Sequence, residues 1–413
     1  MTRWPRRALA SAALAGLLGC PHPGAPTPAT EPEFRVGLEV GVPSATLGGD
    51  AELFVIDDGN GSPVGSIPAG VSWKVLTDTG GLVLERADGS RSEPHHGISA
   101  VGVTEGRFAQ VNGRRYRGRI NIFRDAGGLT VMNRLGAESY LAGVVGLEMG
   151  PRKPGEEEAM ISQVVVSRTF AIRNRGRWEA LGFDMYDDTR DQVYGGVAAE
   201  TPQVWAAIKR STGQVLEYHG NVIEAYFSST CGGRTAGVEE VFKTAASEPY
   251  LKSVSDDAGG GHYFCDISPR FRWREEWDGA SLRAILSRTL PQVSQVGGGG
   301  LQRIADLEVS QRTRSGRVGE LDIQFEHGDI KVPGPDVRSV LRPDAGRVLN
   351  SQLFDLDVTH QDGEVSKVVA EGRGSGHGIG LCQWGAVGRA RAGQNYQRIL
   401  ATYFPGTKLA RLY

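Results

Sequence analysis

The chain has 413 residues, of which 39% are hydrophobic and 23% are charged, and its formal net charge is −2. This composition is typical of a globular protein rather than a disordered or membrane-embedded one, and the length indicates two or three domains. The near-neutral charge disfavours a nucleic-acid-binding protein, because such proteins usually carry a clear excess of basic residues.

The first twenty residues have the pattern of an export signal. Three arginines precede an apolar stretch at residues 8–18 that is too short to span a bilayer. Residues 17–20 read Leu-Leu-Gly-Cys and resemble a lipobox, at which lipoproteins are cleaved and lipidated. The alternative is an ordinary secretory signal with a chance cysteine. We expect residues 1–19 to be a lipoprotein signal peptide and the protein to be exported, anchored to a membrane through a lipid on Cys20, and facing the periplasm or cell wall.

Three further segments follow the signal. Residues 20–33 contain five prolines and predict an extended tether. Residues 34–127 alternate apolar and polar side chains between turn signals, which predicts a β-rich region. Residues 128–413 mix helical and strand patterns, with a possible boundary near the glycine run in residues 290–302. We therefore expect an α+β protein whose amino-terminal part is rich in strands.

The helical patterns are confined to residues 128–413. The clearest is at 155–176, where glutamates near the start and arginines near the end suit the helix dipole, and where Met160, Val164, Ser167 and Ala171 predict a narrow buried stripe. Further predicted elements are helices at 138–149, 201–213, 281–289 (capped by Ser281), 384–392 and 395–403, a hairpin at 215–218 and 222–228, and strands at 303–309, 318–325 and 354–358.

One carboxylate stands out by its surroundings. Glu148 lies between Leu147 and Met149 after a run of valine and glycine. Poor solvation of a carboxylate favours its protonated form and raises its pKa, which suits a general acid. The alternative is a glutamate at a helix end that faces water. On the following helix, Gln163 and Arg168 are suited to hydrogen bonds with sugar hydroxyls, although the helix taken alone favours a solvated face for both.

The stretch with the most unusual composition is 371–386, Glu-Gly-Arg-Gly-Ser-Gly-His-Gly-Ile-Gly-Leu-Cys-Gln-Trp-Gly-Ala. Glycines on both sides of His377 let backbone adopt left-handed angles and let a ligand approach the main chain, so this loop is a candidate binding site. Cys382 and His377 could form a nucleophile pair, but no third orienting group is evident. The turn that contains Ser229 and Gly232, and the Tyr-Gly-Gly sequence at Tyr194, fit either a substrate-binding turn or a tight structural loop.

Cys231, Cys265 and Cys382 are the cysteines beyond the signal. Export would place them in an oxidising compartment, where an odd number leaves one thiol free or three acting together. We expect a disulfide between Cys231 and Cys265. A zinc site made by these cysteines with His262 or His377 is the less favoured alternative, because their spacing is not that of a compact zinc motif, and we assign no metal.

Seven stretches in order resemble the stage II sporulation protein D (SpoIID/LytB) family of peptidoglycan-acting proteins. They cover about 130 to 410 and are Tyr140–Met149, Gln163–Ala171, Gln192–Gly196, Phe227–Thr235, Pro249–Leu251, Gly374–Ala386 and Ile399–Gly406. The chain departs from the family pattern around Gln163, where a preceding lysine and following alanines are common, and at Cys231 and Cys382, where many members have other small residues.

The resemblance implies a lytic transglycosylase that cleaves between N-acetylmuramic acid and N-acetylglucosamine, or a related non-catalytic glycan-binding module that stimulates a cell-wall amidase. It implies that Glu148 is the catalytic acid and that no metal or cofactor is needed. It also implies a groove that binds peptidoglycan glycan strands. The residues expected to line that groove are Gln163, Arg168, Tyr194, Ser229, Gly232, His377 and Gln383.

Overall fold

The computed structural model describes residues 30–102, 106–294, 303–344 and 346–413. The predicted signal peptide, Cys20 and most of the tether lie outside these residues, as does most of the predicted break at 290–302. No helix in the described ranges has both the length and the apolar character needed to cross a membrane.

The described residues form seven α-helices. They are Ala137–Met149 (α1), Glu157–Arg173 (α2), Pro202–Arg210 (α3), Gly279–Thr289 (α4), Gly334–Val340 (α5), Gln383–Arg391 (α6) and Tyr396–Tyr403 (α7). All except α5 were predicted; α5 is short and contains a proline in its first turn. Thr201 caps α3 as its sequence indicates, whereas α4 begins earlier than predicted and is capped by Asp278 rather than Ser281.

The described residues also form twenty-five strands, most of them short. They are Glu33–Val42 (β1), Ser44–Gly49 (β2), Leu53–Asp57 (β3), Pro63–Ile67 (β4), Ser72–Asp78 (β5), Gly81–Glu85 (β6), Gly97–Gly102 (β7), Ala109–Val111 (β8), Arg114–Tyr116 (β9), Arg119–Arg124 (β10), Leu129–Gly136 (β11), Met185–Tyr186 (β12), Gln214–Tyr218 (β13), Asn221–Val222 (β14), Phe227–Ser228 (β15), Asp257–Gly259 (β16), His262–Tyr263 (β17), Arg272–Asp278 (β18), Ile304–Arg312 (β19), Val318–Phe325 (β20), Gly328–Pro333 (β21), Phe354–Gln361 (β22), Glu364–Arg373 (β23), Leu381–Cys382 (β24) and Lys408–Arg411 (β25). The mixed α+β architecture with a β-rich amino-terminal region is therefore confirmed.

Two sheets account for the amino-terminal strands. One has seven strands in the order β12-β1-β11-β10-β7-β3-β4, and the other has five in the order β6-β5-β2-β8-β9. Strand β11 comes after the predicted boundary at residue 127, yet it pairs antiparallel with both β1 and β10. The sheet therefore runs across that boundary and leads directly into α1.

The buried apolar side chains form two main cores. The first joins the amino-terminal sheets to α1, α2, α3, α6 and α7. The second is built from α4, α5 and the three-stranded sheets β18-β23-β22 and β19-β20-β21. The second core lies within the long segment between β15 and β24, and these two short strands pair in parallel. The predicted hairpin is correct for β13 and β14, but β15 leaves it to pair with β24.

Helix α2 runs through the first core. Every residue from 159 to 171 is buried, because α1, α3, α6, α7 and β13 surround the helix. The buried surface of α2 is therefore much wider than the predicted stripe of four residues. A helix enclosed on all sides buries its polar side chains as well, and Gln163 and Arg168 are among them.

Candidate functional site

A cavity of about 1010 Å³ opens where the end of α1 meets the glycine-histidine loop. Glu148 and His377 both line it, although they are far apart in sequence. The wall is completed by Phe170, Arg177, Thr189, Arg190, Asp191, Val193, Tyr226, Phe227, Val241, Phe242, Lys243, Thr244, Ala245, Pro335 and Asp336. The pairing of β15 with β24 brings Phe227 opposite Leu381 and so holds the loop against this wall.

Glu148 is the penultimate residue of α1 and is half-buried. Desolvation by burial raises the pKa of its carboxyl above the ordinary value, and a hydrogen bond from Gln383 opposes the shift. The Nε2 atom of Gln383 donates to Glu148 Oε2 over 3.4 Å. A carboxyl that favours its protonated form and reaches a cavity is able to act as a general acid.

Gln383 links the candidate acid to α2. It is the first residue of α6, and its Nε2 atom lies 3.4 Å from both Glu148 Oε2 and Gln163 Oε1. The Nε2 atom of Gln163 in turn donates to Ser167 Oγ over 3.0 Å. This chain fixes which way the Gln163 amide faces, so that its oxygen accepts from Gln383. Gln163 and Gln383 therefore support Glu148 from behind the cavity wall.

His377 occupies the cavity wall as an uncharged ring. Burial lowers its pKa to about 4, with a further lowering from the positive charges of Arg338 and Arg317 that a hydrogen bond with the Phe227 backbone partly opposes. Its Nδ1 atom accepts from the N–H of Ile379 over 3.0 Å. Since Nδ1 is the acceptor, the proton of the neutral ring is on Nε2.

The residue after His377 must be glycine. Gly378 has a φ of +80°, in the left-handed region, and an added Cβ would collide with the guanidinium of Arg317. The side chain of Arg317 fills that space and donates to the carbonyl of Cys231 over 3.0 Å. The glycine pattern in the sequence thus reflects close packing beneath the loop as well as backbone freedom.

Aromatic side chains beside His377 were not predicted as site residues. The rings of Tyr226 and Phe242 have their centroids 6.1 and 5.9 Å from the imidazole, and Phe170 packs against Tyr226 at 6.4 Å. Tyr226 directly precedes the serine-rich turn in the sequence, but Phe242 lies in a separate segment with no distinguishing pattern. Only the fold shows that these three rings share a surface.

Arg168 and Tyr194, which were both expected to line the groove, lie in the core, as Gln163 does. Arg168 is fully buried, where its Nη2 atom lies 2.5 Å from Glu138 Oε2 and its Nη1 atom donates to the Gln214 carbonyl. The hydroxyl of Tyr194 is also buried and donates to Asn133 Oδ1 over 2.7 Å. The predicted sugar contacts of both residues are therefore wrong for this conformation, because each polar end already has an internal partner.

Ser229 and Gly232 also lie outside the cavity lining. Ser229 is half-buried, and its carbonyl accepts from the N–H of Trp384 over 3.0 Å, which fixes the first turn of α6. Gly232 is buried with a φ of +79°, and an added Cβ would press against the backbone of Arg373. Both residues shape the turn and neither lines the cavity. The structure therefore gives no support to the interpretation of this segment as a substrate-binding turn.

The three cysteines come together behind the loop as free, buried thiols. The Sγ atoms of Cys231 and Cys265 are 3.6 Å apart, whereas a disulfide requires about 2.05 Å. The predicted disulfide is therefore not formed in this structure. Burial raises the pKa of the Cys382 thiol well above its ordinary value, which is the opposite of what a Cys/His nucleophile needs.

Comparisons with known proteins match two parts of the chain. The family described as "Stage II sporulation protein" (SpoIID) matches residues 125–218, which include α1, α2 and Glu148. A "Domain of unknown function (DUF8618)" matches residues 262–380, which contain the second core.

Three curated proteins illustrate the similarity over longer stretches. An uncharacterized protein of Brachyspira hyodysenteriae is 30% identical over 72% of this chain and 73% of its own length. The stage II sporulation protein D of Bacillus subtilis is 29% identical over 66% of this chain and 74% of its own length. The amidase enhancer of the same organism is 28% identical over 61% of this chain, and the match spans only 38% of that longer protein.

Proposed function

The chain belongs to the SpoIID/LytB family, and from this premise and its site we propose that it is a peptidoglycan lytic transglycosylase. The proposed substrate is the bond between N-acetylmuramic acid and N-acetylglucosamine, and the product is a 1,6-anhydro end. The proposal includes export and a lipid anchor on Cys20, facing the periplasm or cell wall. The observation that carries the chemistry is the half-buried Glu148, whose carboxyl has a raised pKa at the cavity wall.

Glu148 would donate a proton in the first step and accept a proton in the second. Its protonated carboxyl donates to the bridging oxygen, the glycosidic bond breaks, and positive charge develops on the muramoyl C1. The resulting carboxylate takes the proton from the muramoyl C6 hydroxyl, whose oxygen bonds to C1. The carboxyl is protonated again at the end, so atoms and charge balance without water or a metal as a reactant.

Two other carboxylates line the cavity, and both have ionic partners. Asp191 accepts from the Trp178 ring N–H and the Tyr186 backbone, and lies 3.2 Å from Arg177. Asp336 lies 2.7 Å from the ammonium of Lys243. Hydrolysing glycosidases typically use a second carboxylate to activate water or to attack the sugar. These engaged acids are poorly suited to that task, which favours a mechanism with one carboxylate.

The remaining lining suits a glycan. Phe170, Tyr226 and Phe242 offer flat apolar surfaces against which the C–H faces of sugar rings pack. Arg190 and Lys243 also reach the wall, but each is already paired with a carboxylate, Asp188 and Asp336 respectively. We assign sugar contact to the three aromatic residues and to His377 in place of the buried Arg168 and Tyr194.

The test compares Glu148→Gln with Glu93→Gln. The first removes the transferable proton while keeping the size of the side chain, and the second makes the same change at an exposed position in the β-rich region. Purified proteins are incubated with glycan strands, with and without stem peptides, and anhydro-muramoyl ends are measured by mass spectrometry. We expect a rate loss of about 10²- to 10⁴-fold for Glu148→Gln only. Full activity of that variant would remove Glu148 from the mechanism.

The alternative is a non-catalytic module that binds glycan and stimulates a cell-wall amidase. The relative named an amidase enhancer favours it, although this chain spans 38% of that protein. The same assay separates the two. If wild type binds glycan strands, produces no anhydro ends on either substrate, and raises the rate of an added cell-wall amidase, the stimulating module is the function.

A further inference from the structure

Four buried donor groups meet behind the glycine-histidine loop. Cys231, Asp256, Cys265 and Cys382 each direct one sulfur or oxygen atom to a common point, and these four atoms lie within 4.8 Å of one another. All four residues are buried. They come from three separate segments of the chain, with Asp256 and Cys265 on either side of the β16–β17 hairpin, so their spacing forms no compact sequence motif. We call this group the thiol cluster.

The spacing fits a tetrahedral metal ion. Zn²⁺ binds thiolate sulfur at about 2.3 Å, which places two such sulfurs about 3.8 Å apart in a tetrahedron. Cys231 Sγ is 3.6 Å from Cys265 Sγ and 3.8 Å from Asp256 Oδ2. Small movements of the side chains are enough to place a zinc ion between these atoms.

Asp256 has the kind of hydrogen-bond partners that orient carboxylate ligands in metal sites. Its Oδ1 atom accepts from the Tyr403 hydroxyl over 2.7 Å and lies 3.1 Å from Arg389 Nη2. These bonds leave Oδ2 turned towards the thiols. Outer partners of this kind fix the orientation of a ligand and tune its charge. Gly385 completes the arrangement, because an added Cβ would collide with the Tyr403 hydroxyl and with Asp256 Oδ2.

The sulfur of Cys382 accepts two backbone hydrogen bonds. Its sulfur accepts from the N–H of Cys231 over 3.1 Å and from the N–H of Gly385 over 3.3 Å. Cys382 also caps the amino end of α6, where the helix dipole favours negative charge. Backbone donors aimed at one sulfur stabilise an anion far more than a neutral thiol.

Buried positive charge surrounds the cluster. Arg317 is 1% exposed, and its guanidinium donates to the Cys231 carbonyl and to Ser315 Oγ, which in turn donates to Glu240. A buried cation is costly unless an anion compensates it. Three thiolates and Asp256 carry four negative charges, and Zn²⁺, Arg317 and Arg389 carry four positive charges. The four ligands, the metal ion and these two arginines therefore balance in charge.

We propose that the thiol cluster is a structural Zn²⁺ site with Cys231, Cys265, Cys382 and Asp256 as its ligands. Binding releases the three thiol protons to solvent and involves no oxidation. The site ties the Cys231 turn and the β16–β17 hairpin segment to the start of α6. Because Gln383 follows Cys382 and contacts Glu148, the metal also fixes the partner of the candidate acid.

The first test uses the wild-type protein purified without chelators. Elemental analysis is expected to find about one zinc ion per chain. Alkylation after denaturation with a chelator and without reductant, followed by peptide mass spectrometry, is expected to modify Cys231, Cys265 and Cys382 together. A disulfide between Cys231 and Cys265 with no bound zinc would overturn the proposal.

The second test compares Cys265→Ser with His262→Gln. Cys265→Ser removes a ligand outside the cavity, whereas His262 is exposed, bonds to Asp266, and lies outside the cluster. Zinc is replaced by Co²⁺, which gives thiolate charge-transfer absorption and intense tetrahedral bands. We expect these bands in wild type and His262→Gln, and their loss or marked change in Cys265→Ser.

Each outcome decides the proposal independently of glycan cleavage. Tetrahedral cobalt bands that persist unchanged in a folded Cys265→Ser variant, or that disappear in His262→Gln, would place the metal elsewhere and contradict the ligand set. If Cys265→Ser does not fold, the zinc content of wild type and the number of its alkylated cysteines still test the proposal. A zinc-bound protein without transglycosylase activity would leave this site intact and reject only the proposed function.

Discussion

At the scale of single residues, burial shifts the pKa values of Glu148 and His377. Glu148 and His377 share one cavity, yet burial acts on them in opposite senses, because it favours the neutral form of each. The pKa of Glu148 rises and that of His377 falls. The site therefore contains a carboxyl able to hold a proton and an imidazole that stays uncharged at neutral pH.

The pH dependence of cleavage follows from Glu148. The reaction begins with its protonated form, so kcat/KM should fall as pH rises through its pKa. That alkaline limb should lie above the ordinary glutamate pKa of about 4.3, because burial raises it. His377 should add no limb between about pH 5 and 8, since its pKa is about 4. Rate profiles of wild type and of residual Glu148→Gln activity check this, and an alkaline limb unchanged in the variant would contradict it.

The pH dependence of stability follows from His377. Its pKa is about 4 in the folded protein and about 6.5 when unfolded, so the unfolded chain binds the proton more tightly. The contribution of His377 to the free energy of unfolding is full above about pH 6.5 and is lost as pH falls towards 4. Between pH 7 and 5, we expect the Tm of His377→Gln to fall less than the Tm of wild type. The Tm of His327→Gln, a change at an exposed position, should fall by as much as that of wild type. Equal losses in all three proteins would refute the assignment.

At the scale of elements, the site depends on α2, which is buried on all sides from residue 159 to 171, and on the start of α6. Helix α2 carries Gln163 towards Gln383 and carries Arg168 into an ion pair with Glu138, and α6 begins between the thiol cluster and Glu148. The sequence could identify both helices, because the spacing of their apolar residues and the acidic start and basic end of α2 are local features. It could not show that α2 is enclosed, so its polar residues were interpreted as substrate contacts.

Replacement of Arg168 tests that correction. Arg168→Ala leaves the charge of Glu138 buried without its cationic partner, so we expect a loss of about 3–5 kcal/mol in the free energy of unfolding. The matched Arg210→Ala breaks the half-exposed pair with Glu158 and should cost less than about 1 kcal/mol. Denaturant unfolding measures both. If Arg168→Ala instead keeps its stability and raises KM for glycan, the residue contacts substrate.

At the scale of the whole molecule, the site is assembled from distant segments. The glutamate motif and the glycine-histidine loop were visible in the sequence, because their composition is unusual and their order matches a family. Phe242 and Asp256 were not, since each acquires its role only when β15 pairs with β24 and closes the segment that contains the second core. Long-range pairing, and the burial that it produces, therefore determined which predictions about the site failed.

Product analysis in water enriched with ¹⁸O shows whether the C6 hydroxyl or water attacks the muramoyl C1. If Glu148 takes its second proton from the muramoyl C6 hydroxyl, glycan strands yield anhydro-muramoyl ends that contain no ¹⁸O at C1. New reducing muramoyl ends that form with ¹⁸O at C1 only when the enzyme is present would show that water attacks the sugar, and would contradict a mechanism in which one carboxylate first donates and then accepts the proton.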